Sequence, residues 1–316
     1  MTHLHIDFET RSLIDLKQAG LDVYAKDLST GIWCMAYAFD DEPVKLWTPG
    51  ELPARIVKHV ENGELVFGHN VGFERALWNA KIPGAPRLAL EQTRCTMAMA
   101  YAMALPGDLE QAAKAAGIEK EKDMEGRRLM LKMCRPRSLA KDGTPIWWDD
   151  PVMKQKLYAY CMQDVEVERT LSHRLRPLTD DEQRVWVLDQ RINNRGIFVD
   201  VPAVKKAIAL VDQAKADLDE RMAEVTGGDV EACSNVADLT EWLNAMGACT
   251  SSVAKAEVSA MLECHSEGPV AEALLLRQEA GKSSTAKLKK MLTAKSHDDR
   301  LRGMFQYHAA ATGRWG

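Results

Sequence analysis

His3-Leu4-His5-Ile6-Asp7-Phe8-Glu9 lies at the start of the 316-residue chain and alternates without a break. Leu4, Ile6 and Phe8 fall on one side, and His3, His5, Asp7 and Glu9 on the other. A period of two marks a β-strand with one face in a core, so Asp7 and Glu9 leave it on the same face. Working outward, Ile32–Phe39 is an aromatic and apolar run, Asp40–Pro43 a turn, and Val44–Trp47 a return strand, which together predict an antiparallel hairpin. Glu51–Val60 reads as a helix. Glu64–Phe67 reads as a short strand ending at Gly68-His69-Asn70, and Phe73–Ala80 as a further helix. The order β-β-β-α-β-α predicts an α/β fold, a mixed sheet with flanking helices.

From Asp108 the pattern turns helical. Leu109–Ala116 is closed by Gly117, and Asp123–Cys134 follows. Arg135–Asp150, with Pro136, Gly143, Pro145, Trp147 and Trp148, reads as a loop. Pro151–Leu175 resumes as helix, and Pro177 ends it. Thr179 with Glu182 three residues later forms a capping box for the next helix, which places a domain boundary between residues 1–177 and 178–316. The second part is mainly helical, with a strand-like Gly196–Val199. Trp33, Trp47, Trp147 and Trp148 read as core or loop packing rather than as base contacts.

Hydrophobic residues make up 46% and charged residues 28% of the chain, the balance of a soluble globular protein. No basic and apolar leader opens the sequence, and no window approaches the ~20 apolar residues of a membrane helix. Seven scattered cysteines, never Cys-x-x-Cys, read as buried thiols in a reducing cytoplasm rather than as disulfides or a zinc site. The net charge of −5 counts against wholesale binding of nucleic acid, so any such contact is expected to be local.

Four acids stand out. Asp7 and Glu9 share a strand face. Glu74 closes Gly68-His-Asn-Val-Gly-Phe-Glu74. Asp164 sits on a helix with Tyr160 one turn before it on the same face. Gathered carboxylates repel unless cations lie between them, and hard divalent ions favour oxygen donors. Two such ions about 4 Å apart can clamp an in-line displacement at phosphorus. His3 and His5 share the Asp7 face, but an all-oxygen site accounts for the acids without them. His69 reads as a structural or substrate-side residue rather than a base.

Asp-x-Glu on a first strand, an acid after His-Asn, and Tyr-x-x-x-Asp late in the domain resemble the DEDDy 3′→5′ exonucleases. The nearest resemblance is to the proofreading domain of family A DNA polymerases, those like bacterial DNA polymerase I and especially their phage relatives. Lys122-Asp123…Gly126 and Tyr160-Cys…Asp164-Val add to it. The resemblance implies a ribonuclease H-like fold over residues 1–177 and two Mg²⁺ or Mn²⁺ ions. Asp7 would bridge both ions, Glu9 and Asp164 would hold the nucleophile-side ion, and Glu74 would serve the second. Tyr160 would position the attacking water. Asn70 would help to hold the strand or the acidic loop, and the regions of Thr10 and Phe73 would lie near the terminal nucleotide. The second motif usually ends in Asp. Glu74 lengthens that arm by one methylene.

The helix ending in Gly196-Ile-Phe-Val-Asp200 resembles the segment joining exonuclease to thumb in the same family, and Ser234–Gly247 its next thumb helix. Lys282-Ser283-Ser284-Thr285-Ala-Lys287-Leu-Lys-Lys290 resembles the thumb tip, and Arg302…Ala311-Thr-Gly-Arg314 the strand before the palm. Lys282, Ser283, Ser284, Thr285, Lys287 and Arg314 are therefore expected to meet phosphates of single-stranded or frayed 3′ ends or of a primer–template duplex. Palm and fingers motifs do not follow, so this stretch is expected not to polymerise by itself, and a separate palm–fingers chain is one partner this implies. The setting implied is a bacterial cytoplasm, with a phage gene as one source, and no membrane. Two rival readings are an RNA exonuclease of ribonuclease D type and a non-catalytic DNA-binding or assembly module.

Overall fold

The computed structural model describes residues 2–118, 124–282 and 285–316, with the side chain of Met124 outside that description. Lys122, Asp123, Ser283 and Ser284, which carried part of the resemblance, lie outside the described residues. The chain forms two compact units. One comprises Met1–Phe198 with Ala294–Gly316, the other Val199–Thr293.

The first unit is built on β1 (Leu4–Arg11). Asp15 caps a short helix, α1 (Leu16–Ala19), and α2 (Leu21–Lys26) follows before β2 (Gly31–Phe39) and β3 (Lys45–Trp47). Then come α3 (Ala54–Glu61), β4 (Val66–Gly68), α4 (Gly72–Lys81), β5 (Thr93–Cys95) and α5 (Thr96–Ala102). The sheet order is β3-β2-β1-β4-β5. β1 runs antiparallel to β2 and parallel to β4, and β4 runs parallel to β5. The sheet is mixed, as the strand order predicts. α1, α2, β5 and α5 are additions to that reading. None exceeds seven residues, too few for a hydrophobic period to register.

On one side of the sheet Leu4, Ile6 and Phe8 join Met35, Tyr37, Phe39, Ile56, Leu77 and Trp78 in the main core. The polar side of β1 is covered as well. After α6 (Leu109–Ala115), α7 (Met124–Met133) and a small hairpin of β6 (Ser138–Leu139) and β7 (Pro145–Ile146), the long α8 (Pro151–Arg174) lies across β1 and β2. Asp150 caps α8 by accepting from Met153 N at 2.8 Å, and Pro151 begins it. Leu157, Cys161, Val165, Glu168 and Leu171 form its buried stripe. Part of Arg135–Asp150, expected as loop, thus pairs as the two-residue strands β6 and β7.

α9 (Asp180–Arg195) begins where the capping box places it, with the Thr179 hydroxyl accepting from Glu182 N at 3.2 Å. Trp186 and Val187 then pack against Val71, Leu90, Cys95, Ala98 and Tyr307. β8 (Ile197–Phe198) pairs with β9 (Arg300–Leu301). Gly196, which ends α9 just before β8, has φ +71°, and a Cβ there would stand 2.6 Å from the Leu301 carbonyl oxygen, so glycine is required. The division of the structure therefore falls after Phe198 rather than at 177/178.

The second unit is helical: α10 (Val201–Thr226), α11 (Val236–Ala245), α12 (Lys255–Cys264), α13 (Pro269–Ala280) and α14 (Ala286–Ala294). Met222, Leu239, Trp242, Leu243 and Leu274 centre its core. Among the described residues no helix is long and apolar enough to cross a membrane.

Candidate metal centre

Asp7, Glu9 and Asp164 offer carboxylate oxygens that all lie within 4.8 Å of one another. β1 supplies the first two and α8 the third. The spacing works because the Asp7 face of β1 packs under the Cys161 and Val165 stripe of α8, next to which Tyr160 and Asp164 project. No lysine or arginine forms an ion pair with Asp7, Glu9 or Glu74 among the described residues. All-oxygen donors at this separation match the preference of a hard divalent cation.

The electrostatics express the same crowding. Burial pushes Asp7 up to about 6, with the Glu168 charge adding to the rise and a hydrogen bond from Cys161 opposing it. Glu9 is held well above the usual carboxylate range by burial, then by Asp7 and by charges that include Asp164. Burial holds the Tyr160 phenol above its ordinary value, and the charges of Asp164 and Glu9 add to this. The hydroxyl therefore stays protonated and donates to Asp164. Glu74 lies in the first turn of α4, 3% exposed, and its Oε2 has no hydrogen-bond partner. Burial and then the Asp7 charge push it well above the usual range. It stands outside the 4.8 Å group, yet near enough to Asp7 to feel its charge.

Two neighbours were missed by sequence reasoning. The Cys161 thiol donates to Asp7 Oδ2 at 3.3 Å. His5 Nδ1 lies 2.6 Å from Glu168 Oε2, with both side chains buried, and the His5 ring stacks on Phe67 at 4.9 Å. His5 is thus engaged one step along β1 from Asp7. The signal was present in helical spacing, since Cys161 and Glu168 lie three before and four after Asp164. His69 is held by Thr96 Oγ1 at 3.1 Å and by the Gly107 carbonyl at 2.8 Å.

Of the residues expected near nucleic acid, Thr10, Asn70, Phe73 and Arg314 belong to the first unit. Thr10 is buried on the apolar side of β1, its hydroxyl 2.8 Å from that of Tyr24. Phe73 packs against the main core, 6.2 Å from the Tyr24 ring. Asn70 has φ +67° and lines a cavity of about 330 Å³ with Arg75, Tyr101, Trp186 and Asp189, and its carbonyl accepts from Phe73 N. Arg314 is exposed. In the second unit Lys282 pairs with Glu279 at 2.5 Å, Thr285 donates to the Lys282 carbonyl, and Lys287 is exposed.

Over its whole length the chain is 35% identical to a DNA polymerase of Bacillus phage SP02, and it spans 50% of that protein. This likeness supports a DNA polymerase-like protein. A solved structure described as the POL domain of Pol1 from M. smegmatis in complex with DNA primer-template and dNTP superposes with a TM-score of 0.51. That match covers 99% of this chain and 50% of the other at 13% identity, which bears on fold alone. No family model matches the sequence. The chain thus spans about half the length of the curated relative it matches.

Proposed function

We propose that this chain is a 3′→5′ exonuclease that hydrolyses DNA from its 3′ end and serves DNA replication as the proofreading part of a family A polymerase. The observation that carries the reading is the convergence of Asp7, Glu9 and Asp164 within 4.8 Å, with the Tyr160 phenol hydrogen-bonded to Asp164. The sheet order β3-β2-β1-β4-β5, antiparallel at β1–β2 and parallel beyond, supports a ribonuclease H-like reading of the first unit.

Asp7, Glu9 and Asp164 would hold Mg²⁺ or Mn²⁺, with Glu74 reaching a second ion through its unpartnered Oε2 or a water. Such ions, when bound, polarise the phosphoryl group and lower the pKa of an attacking water. Tyr160 donates to Asp164 and fixes where that water can sit. DNA is favoured over RNA because the phage relative is a DNA polymerase and the structural neighbour was solved with a DNA primer-template.

The test is digestion of 5′-labelled single-stranded DNA and RNA with Mg²⁺ or Mn²⁺, comparing wild type with Asp7→Ala. A DNA ladder shortening from the 3′ end, absent in the variant and with EDTA, is the expected result. Faster loss of the RNA would replace DNA with RNA as substrate. A folded wild type that leaves both intact would overturn the reading and favour a binding or assembly module.

A further inference from the structure

The rim beyond Glu9 differs chemically from the acid site itself. Opposite Glu9 and Thr10, β2 carries one residue too many: Glu9 faces Cys34 and Thr10 faces Ile32, which leaves Trp33 as a β-bulge. Without the bulge Trp33 would share the core side with Met35 and Tyr37. With it, Trp33 turns to the α8 side and packs with Met133 and Leu157. Trp147 and Trp148, at the end of the β6–β7 hairpin, pack against the same cluster and remain half-exposed.

Cations lie on these rings. The Arg11 guanidinium stands 4.2 Å from the Trp33 ring centre and 5.0 Å from that of Trp147. Lys132 stands 4.2 Å, and Arg137 5.7 Å, from that of Trp148. The nearby acids are already engaged. Asp149 pairs with Lys154, Asp150 caps α8, and Asp142 accepts from Thr144 N. Among the described residues Arg11, Lys132 and Arg137 form no ion pair, although the Asp149 charge acts on Arg11, so in a chain of net charge −5 this rim gathers three cations held by aromatic rings rather than by carboxylates. The Trp148 indole N–H also has no acceptor. Arg11 lies two residues past Glu9 on the same strand face, about 7 Å further along β1.

We propose that Arg11, Lys132 and Arg137, with Trp147 and Trp148, form a grip for single-stranded nucleic acid adjoining the acid site, and that Trp33 is its buried floor. The partner is set by charge complementarity and by aromatic surface. A flexible polyanion with flat bases uses both, through phosphate contacts to the cations and stacking on the half-exposed indoles and the guanidinium plane. Neither contact reads a base edge, so the grip is indifferent to sequence. The inference rests on the nuclease reading of the acid site, because it places the strand leading to that site.

The test is fluorescence anisotropy of a 5′-fluorescein oligothymidine in EDTA, where no cutting occurs, together with KM and kcat for its digestion in Mg²⁺. Lys132→Ala/Arg137→Ala alters exposed side chains and is expected to weaken binding by roughly 10-fold, flatten the salt dependence, and raise KM with kcat unchanged. Trp147→Leu is expected to weaken binding similarly, with circular dichroism checking its fold. Wild-type binding and digestion with both variants unaffected would overturn the grip and leave the nuclease reading intact. A wild type that neither binds nor digests would overturn both.

Discussion

The two units bury polar groups differently. Among the described residues of the second unit, Thr226 is the buried polar side chain, and its hydroxyl donates to the Met222 carbonyl at 2.8 Å. The first unit buries Glu9, Glu74, Glu168, Asp189 and His5, and among the described residues every buried side-chain polar atom without a partner lies there. Burying an unpaired carboxylate costs stability, whereas Met222, Leu239 and Leu274 gain it by leaving water. The second unit is packed as a scaffold would be. The first holds buried carboxylates, Glu9 and Glu74, with which no lysine or arginine pairs among the described residues.

The sharpest break in that comparison should come from Glu9→Gln. The proposed site then loses a ligand, and DNA hydrolysis is expected to fall by several orders of magnitude. The same change removes a buried negative charge, so the metal-free protein is expected to melt at a higher temperature than wild type. Lost activity with a lowered Tm would mean that Glu9 is there for the fold. Leu274→Ala is the mirror experiment. It is fully buried in the helical core, and its truncation should cost about 2–5 kcal/mol. In denaturant melts the second unit should weaken, while hydrolysis per folded molecule persists.

A smaller effect concerns pH. Asp7 is raised from the ordinary carboxylate value to about 6. Between those values the folded protein keeps a proton that the unfolded chain has released. Metal-free stability must therefore fall as pH rises through this window, by on the order of 1–3 kcal/mol from this group. Glu9 and Glu74, raised further, extend the fall to higher pH. Melting in EDTA from pH 5 to 8 should show the decline. Mg²⁺ or Mn²⁺ should reverse it at the alkaline end, since an ion that binds only the folded state stabilises it. A flat profile would mean that these carboxylates are solvated rather than confined.

Much of this was legible in the residues. Alternation in β1 placed Asp7 and Glu9 on one face, the Thr179 capping box marked the start of α9, and helical spacing paired Tyr160 with Asp164. What was not legible came from partners distant in sequence. The polar side of β1 reads as a solvent face until α8 is laid on it, and that packing buries His5 against Glu168. The periodicity of α9 announces an apolar face without naming its partner. Because that partner includes Val71 and Leu90, the helix belongs with the first unit. A one-residue bulge at Trp33 has no signature in composition, yet it decides which side of the sheet the indole faces.

The smallest expected effect lies with Cys161. Its thiol donates to Asp7 Oδ2, and a bond to the charged form holds the Asp7 pKa below where burial alone would put it. Cys161→Ala removes that bond and a small buried volume, at a cost of about 1 kcal/mol. The carboxylate then holds its proton to higher pH. The acid limb of a rate profile should move upward while the rate on the alkaline plateau stays near wild type. Glu9→Gln takes away a ligand, whereas Cys161→Ala only changes when a ligand becomes available. A drop on the plateau as large as that of Glu9→Gln would show that the thiol positions Asp7 rather than merely tuning it. An unmoved acid limb would place the proton that governs it on another of the clustered acids.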